Sequence, residues 1–224
     1  MSAELRIGGL TRLSSCDWPG ELVATVFCQG CSWRCPYCHN TDLQPATAGA
    51  IAWTEVRAFL KARIGLLDGV VFSGGEPLLQ SALSDAIAET RALGFKIGLH
   101  TGGAVPSRFA ELLAVCDWIG FDVKAPFDEY PAITGSPSSG ADAREALQSL
   151  IARGTPYEIR TTVHPRLIAG EMLLRLGQDL VALGVSQWVL QPFRSFPGAT
   201  LHPENYDPAV TVALQSLPLA ITWR

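Results

Sequence analysis

Six short runs of β-branched and aromatic residues, each followed by a stretch of helical periodicity, divide most of this 224-residue chain. The runs are Leu22–Phe27, Val70–Ser73, Ile97–His100, Trp118–Val123, Tyr157–Val163 and Trp188–Pro192. The spacing of apolar residues predicts helices over Thr54–Ile64, Ala82–Leu93, Pro106–Val115, Asp142–Arg153, Gly170–Leu183 and Pro208–Leu217. Strands alternating with helices build a parallel sheet through right-handed crossovers. Eight such units close a barrel, whereas six leave it open on one side. The expected fold is therefore α/β, a partial (β/α)6 TIM-like barrel, in preference to a flat doubly wound sheet. In either architecture functional residues belong just beyond the C-terminal ends of the strands.

Nothing in the chain marks a domain boundary. The segments "DLQPATAGA" (42–50) and "ITGSPSSGAD" (133–142) read as turn-rich loops, so residues 1–224 are expected to form a single domain. The formal net charge of −4 carries no run of one sign, which excludes a nucleic-acid-binding surface from the expectations. No apolar stretch approaches the roughly 20 residues of a membrane span, and "MSAELRIGGL" lacks the pattern of a signal peptide. A cytoplasmic protein with reduced thiols is expected, and clustered cysteines in that setting point to metal binding or catalysis.

Such a cluster follows the first strand. In "VFCQGCSWRCPYCHN" (26–40) stand Cys28, Cys31, Cys35 and Cys38, four of the chain's six cysteines. Structural zinc sites pair two knuckles separated by a dozen or more residues, and here only three residues separate Cys31 from Cys35. An iron–sulfur cube is wider than one ion and can be gripped by closely spaced thiolates on one loop. Four ligands would saturate a [4Fe–4S] cluster and make an electron carrier. Three, Cys31, Cys35 and Cys38, would leave one iron open for a small molecule.

The C-x3-C-x2-C spacing on the loop after the first strand of a partial barrel resembles the radical S-adenosylmethionine (SAM) superfamily. Within it, "GGLTRLSSCDWPGELVATVFCQGCSWRCPYCHN" is similar to the start of the activating proteins of anaerobic ribonucleoside-triphosphate reductase. The resemblance covers most of the chain and is strongest through residue 130. It implies one [4Fe–4S] cluster held by Cys31, Cys35 and Cys38, with Cys28, where the family has a residue such as threonine, as a spare thiol. It places Tyr37 near the adenine of SAM and assigns Gly74, Gly75 and Glu76 of "FSGGEPLL" (72–79) to the methionine amino group.

Other strand ends supply further candidates. Thr101 stands in "LHTGG" (99–103), and Asp122 and Lys124 in "FDVKAP" (121–126) share one face of a strand. The resemblance directs that face into the barrel, towards SAM or a partner's peptide; a satisfied ion pair is the alternative. Arg160 in "YEIRTTVHP" (157–165) suits the carboxylate of SAM by bidentate pairing. Gln191 is a lesser candidate for the ribose or adenine. His39 stands beside the cluster loop, and His100, His164 and His202 show no metal-ligand spacing. Cys16 and Cys116 stand alone, so a second cluster is not expected, and no catalytic residue beyond the cluster and SAM is assigned.

The implied activity is that of an activase, which cleaves SAM reductively and takes a hydrogen atom from a glycine of a glycyl radical enzyme, anaerobic ribonucleotide reductase or a relative. A flavodoxin or ferredoxin would supply the electron. The alternatives are a small-molecule enzyme resembling 7-carboxy-7-deazaguanine synthase, or a non-catalytic metal-binding or electron-transfer protein.

Overall fold

In a computed structural model, which describes residues 4–168, 170–195, 199–200 and 208–224, the six expected strands are present and form the centre of one sheet. They are β2 (Val23–Cys28), β3 (Gly69–Gly74), β4 (Lys96–Thr101), β5 (Trp118–Asp122), β6 (Tyr157–Val163) and β7 (Gln187–Pro192). Two further strands of this sheet escaped the sequence reading, as did the short pair β8 (Arg194–Ser195) and β9 (Ala199–Thr200). β1 (Ile7–Ser14) pairs antiparallel with β2, and β10 (Ala220–Trp223) adds to β7 in parallel, giving the order β1-β2-β3-β4-β5-β6-β7-β10. The sheet curls without joining its edges, a partly closed barrel. A separate hairpin pairs β8 with β9.

The helices α1 (Trp53–Lys61), α2 (Leu83–Ala92), α3 (Pro106–Leu112), α5 (Ser139–Arg153), α6 (Glu171–Ala182) and α7 (Pro208–Gln215) lie where periodicity put them, within a few residues. The additional α4 (Tyr130–Thr134) begins with Pro131 in its first turn and ends at Gly135 in the left-handed conformation, φ +72°. The segment expected as a loop over 133–142 is shorter, because α5 starts at Ser139. The Ser139 hydroxyl donates to the Ser136 carbonyl and meets the Thr134 hydroxyl at 2.6 Å. Small polar residues here close a helix junction rather than a surface turn.

Alternation along the strands makes two apolar regions. Val70, Phe72, Ile97, Leu99, Ile119, Phe121 and Ile159 face the helices in the main core, all fully buried. The opposite parity faces the barrel lumen, whose base is filled by Trp18, Val23, Val71 and Trp118. Trp18 comes from the β1–β2 connection, "SSCDWPG", and stacks on Trp118 with ring centroids 5.6 Å apart. Gly98 makes room for it, since a Cβ there would fall 2.8 Å from the indole. Among the described residues no helix is long and apolar enough to cross a membrane. His202 lies outside the described residues.

Candidate active site

The cysteine loop leaves β2 at Cys28 and is fastened by backbone hydrogen bonds on both sides. Gly30 N–H donates to Leu43 O at 2.7 Å and Cys31 N–H to Gln44 O at 3.0 Å, while Arg34 N–H reaches Thr134 O at 2.7 Å. The end of β3 docks onto this loop, with Gly75 N–H donating to Cys28 O and Glu76 N–H to Gly30 O, both at 2.9 Å. The glycines of "SGGE" permit that docking. A Cβ on Gly75 would overlap the Gly30 carbonyl, and one on Gly74, φ +112°, would overlap the Cys28 backbone. The close approach that these glycines allow is to the cysteine loop itself.

Cys31, Cys35 and Cys38 line one cavity at the C-terminal end of the sheet, together with Tyr37, Gly74, Gly75 and Glu76. Thr101, Asp122 and Lys124 complete its wall. Ten of the eleven residues singled out in the sequence thus meet in one place; Arg160 lines the neighbouring cleft instead. Cys28 does not line the cavity. Its side chain is fully buried in the main core, and burial pushes its thiol up to about 12. Burial also raises Cys31, to about 11, and Cys35. Thiols in this state become thiolates only when a cation compensates the charge, which is what a bound metal centre supplies. Among the described residues no three His, Cys, Asp or Glu side chains converge as a single ion would require. The three cysteines share the wall of one cavity.

Glu76 is 2% exposed, and burial raises its pKa although three donors oppose the shift. Thr101 Oγ donates to Oε1 at 2.7 Å, Leu78 N–H to the same oxygen at 3.1 Å, and Gly102 N–H to Oε2 at 3.0 Å. A carboxylate offers about four acceptor positions, so one remains on Oε2 for a donor entering the cavity. Trp33 roofs this corner. Its ring occupies the space a side chain at Gly102 would fill, and it meets Tyr130 edge-on with centroids 5.9 Å apart.

Asp122 and Lys124 share a face as their alternation requires, with Nζ 3.9 Å from Oδ2. Burial alone would lower the Lys124 pKa, but Asp122 leads the groups that hold it above the ordinary lysine range. The Lys124 backbone is fixed by two tyrosines: its N–H donates to Tyr130 Oη at 3.0 Å, and its carbonyl accepts from Tyr37 Oη at 3.4 Å. Tyr37 is thereby held over the cavity, and its ring stacks towards His164 at 6.2 Å. His39 is turned towards Arg194, whose carbonyl lies 2.9 Å from Nε2, and it stacks on Phe193.

Below Asp122 lies a group that sequence reasoning missed. Arg160 Nε donates to Asp122 Oδ1 at 2.9 Å, and Nη1 lies 3.2 Å from His100 Nε2. His100 Nε2 is 2.7 Å from the Asp17 carbonyl, an acceptor only, so the ring proton sits on Nε2 and Nδ1 accepts from the Ser73 hydroxyl at 3.2 Å. Burial, then the Arg160 charge, holds the His100 pKa down near 3, so the ring is neutral. Strand parity would have placed His100 in the lumen, but the register that brings it to Arg160 is not written in either strand. Gln191 lines the adjoining cleft with Arg160, Cys16 and Arg194, and this cleft shares His39 and Thr162 with the cysteine cavity.

Comparison with known proteins gives consistent results. The sequence model of the radical SAM superfamily matches residues 25–176. A protein of Methanocaldococcus jannaschii, named as a candidate glycyl-radical enzyme activating enzyme, is 29% identical over 74% of this chain and 71% of its own length. The pyruvate formate-lyase-activating enzyme of Clostridium pasteurianum is 32% identical over 72% of this chain and 70% of its own. That of Streptococcus mutans is 29% identical over 81% and 74%. In fold, the chain is similar to a radical SAM methyltransferase from Sphaerobacter thermophilus, with a TM-score of 0.71 at 16% identity over 92% of this chain and 67% of that one. It is similar also to Streptococcus suis SuiB bound to S-adenosylmethionine, with a TM-score of 0.64 at 14% identity over 88% of this chain. The chain spans about half the length of that protein, 48%.

Proposed function

The chain belongs to the radical SAM superfamily and is an enzyme related to glycyl-radical activating enzymes, and on that premise we propose that it is the activase of an anaerobic ribonucleotide reductase or a close glycyl radical relative. The observation that carries the reading is the division of the cysteines: Cys31, Cys35 and Cys38 line one cavity while Cys28 is sealed in the core. Three cavity thiols fit a [4Fe–4S] cluster with one iron left for the amino and carboxylate groups of SAM. When bound, these groups supply reductive cleavage of SAM, with one electron from a flavodoxin or ferredoxin, and abstraction of a hydrogen atom from a glycine α-carbon.

The chain's own residues bind, orient and exclude. Glu76 offers its remaining Oε2 position to the ammonium of SAM, with Gly74 and Gly75 setting the height of that turn. Tyr37 covers the adenine, Thr101 holds the Glu76 carboxylate, and Asp122 and Lys124 present one negative and one positive group to the polar end of the ligand. Arg160, whose Nε pairs with Asp122, offers its remaining N–H groups to the ligand's carboxylate. A cavity walled by Trp33 and Tyr37 keeps water from the reacting centre. The reading takes residues 1–224 as one cytoplasmic radical SAM domain without a second cluster.

The names of the relatives support a glycine-bearing partner in general. The choice of ribonucleotide reductase rests on "SSCDWPG" and "FDVKAP", which are similar to its activating proteins. Glycine suits a confined cavity, because it has no side chain to exclude and its α-radical is delocalised between two amides. The test mixes this protein, reconstituted anaerobically, with such a reductase, SAM and a reductant, and records an EPR spectrum. The expected signal is an organic doublet on the partner that collapses when its glycines carry deuterium at Cα. Production of 5′-deoxyadenosine with a small metabolite and no radical on the partner would replace the activase by a small-molecule enzyme.

A further inference from the structure

Gln29, Gly30 and Cys31 follow β2 and belong to no helix, yet their backbone is held on every side. Their N–H groups donate to the carbonyls of Arg6, Leu43 and Gln44. Gly75 N–H takes the Cys28 carbonyl and Glu76 N–H the Gly30 carbonyl. The Gln29 carbonyl between them receives its donor from a side chain, Gln80 Nε2, at 3.1 Å.

Gln80 closes the turn that begins at Glu76, its N–H donating to Pro77 O at 3.0 Å. It is 4% exposed, and its carboxamide is fully engaged. Oε1 accepts from Arg6 N–H at 2.7 Å, and Nε2 donates to Arg6 O at 2.8 Å as well as to Gln29 O. One acceptor and two donors are all that a carboxamide has, and the reversed orientation would set like against like. The side chain pairs with Arg6 as a neighbouring peptide would, one residue before β1 begins at Ile7. Gln29 braces the same stem from the opposite side, its Nε2 donating to Asp42 O at 3.0 Å and Pro45 O at 2.8 Å. Without the Gln80 carboxamide, the Gln29 carbonyl and the Arg6 N–H would lose these partners together, and the stem would have to shift to replace them.

We propose that Gln80 is a positioning residue, whose carboxamide locks the stem of the cysteine loop to the turn that carries Glu76. It thereby holds the Cys31 thiol and the Glu76 carboxylate at one separation before any ligand arrives. This role rests on the reading of the cavity as the site of the cluster and of SAM. A ligand spanning the two sides binds more tightly when their spacing is already set, because ordering a loop on binding lowers affinity.

Gln80→Met, which keeps the bulk of the side chain and removes its three hydrogen bonds, tests the proposal beside Gln80→Glu, which turns oxygen towards both carbonyls. Val56→Ala, which opens a cavity in the core under α1, is the control for lost stability alone. In protein without metal, amide exchange at Gln29, Gly30 and Cys31 should quicken about tenfold relative to Leu99 of β4 in both Gln80 variants, and keep the wild-type ratio in Val56→Ala. In reconstituted protein of verified iron content, a chelator should strip iron about tenfold faster from both Gln80 variants, and SAM should bind them about tenfold more weakly. Val56→Ala should match the wild type in both. Unchanged stem exchange in Gln80→Met, or the same change of ratio in Val56→Ala, would make Gln80 a core filler and overturn the proposal. Normal iron release together with normal SAM affinity would overturn it as well. Wild-type protein that loads no iron or binds no SAM would instead sink the reading of the cavity, and exchange in the metal-free protein would still decide whether Gln80 locks the stem.

Discussion

Gly75 lies against Gly30 so closely that the two residues leave no room for a methyl group between strand β3 and the cysteine loop. The obstacle is backbone on one side and a strand end on the other, so neither can swing away. Gly75→Ala is expected to cost about 3 kcal/mol through overpacking and to displace the loop that carries Cys31. Thermal melting and iron content after reconstitution should fall together in this variant. A melting temperature that drops while iron loading is retained would separate the loop's position from the glycine contact.

The division among the thiols gives a second expectation. Cys31→Ala, Cys35→Ala and Cys38→Ala should each abolish a full iron and sulfide complement, read by absorbance and by metal analysis. Cys28→Ala should load normally and lose only about 1 kcal/mol of stability, since it removes one buried sulfur from the core. In the protein without metal, Cys28 should also be the slowest of the four towards a thiol reagent, because burial holds it protonated. Failure of Cys28→Ala to load iron would make the site a four-thiolate one and end the SAM reading.

Glu76 accepts three hydrogen bonds from its own chain before any ligand arrives. Glu76→Gln turns one accepting oxygen into a donor that must face the Thr101 hydroxyl and Leu78 N–H or the Gly102 N–H. The stranded donor should cost about 1–3 kcal/mol, and SAM affinity should fall because the ammonium loses its charged partner. Glu76→Ala should weaken SAM as well, with the cluster intact. Isothermal titration against both variants is the check; unchanged affinity in both would leave "SGGE" a purely structural turn.

Neutral His100 makes stability depend on pH in a defined direction. Its pKa is near 3 in the fold and about 6.5 when unfolded, so below 6.5 the unfolded chain binds a proton that the folded one refuses. The contribution is fully present above pH 6.5 and is lost as pH falls towards 3. Asp122, whose pKa Arg160 holds down against the effect of burial, weakens the fold only below the ordinary carboxylate range, about pH 4. Urea midpoints measured between pH 7.5 and 5 should therefore decline in the wild type and decline less in His100→Gln. Equal slopes in the two proteins would show that His100 charges freely.

The central strands were readable because each is a short run whose middle residues are mostly apolar and buried. β1 was hidden by the pair Gly8 and Gly9, and the smallness of Gly8 answers neighbours that no local pattern reveals: a side chain there would overlap Leu43 and Gln29. β10 is four residues long and depends on β7 for its pairing. Within the site, the cysteines, the Gly-Gly-Glu turn and the Asp122–Lys124 pair could be found because each is a short local pattern. The Arg160–His100 contact could not, because it depends on registers across three strands and on a residue, Gly120, whose contribution is the absence of a side chain. The Arg160–Asp122 pair, by contrast, joins register neighbours on β5 and β6 that the sequence places 38 positions apart.

The indole of Trp18, wedged against Trp118, turns the barrel into a vessel with a sealed bottom. With that floor in place, nothing reaches the cysteine loop from the N-terminal ends of the strands. Every route in or out runs over the C-terminal rim, along the adjoining cleft or past the unjoined edges of the sheet. The closed floor thus gives the cavity a single facing, and anything too large to enter must present itself from that side.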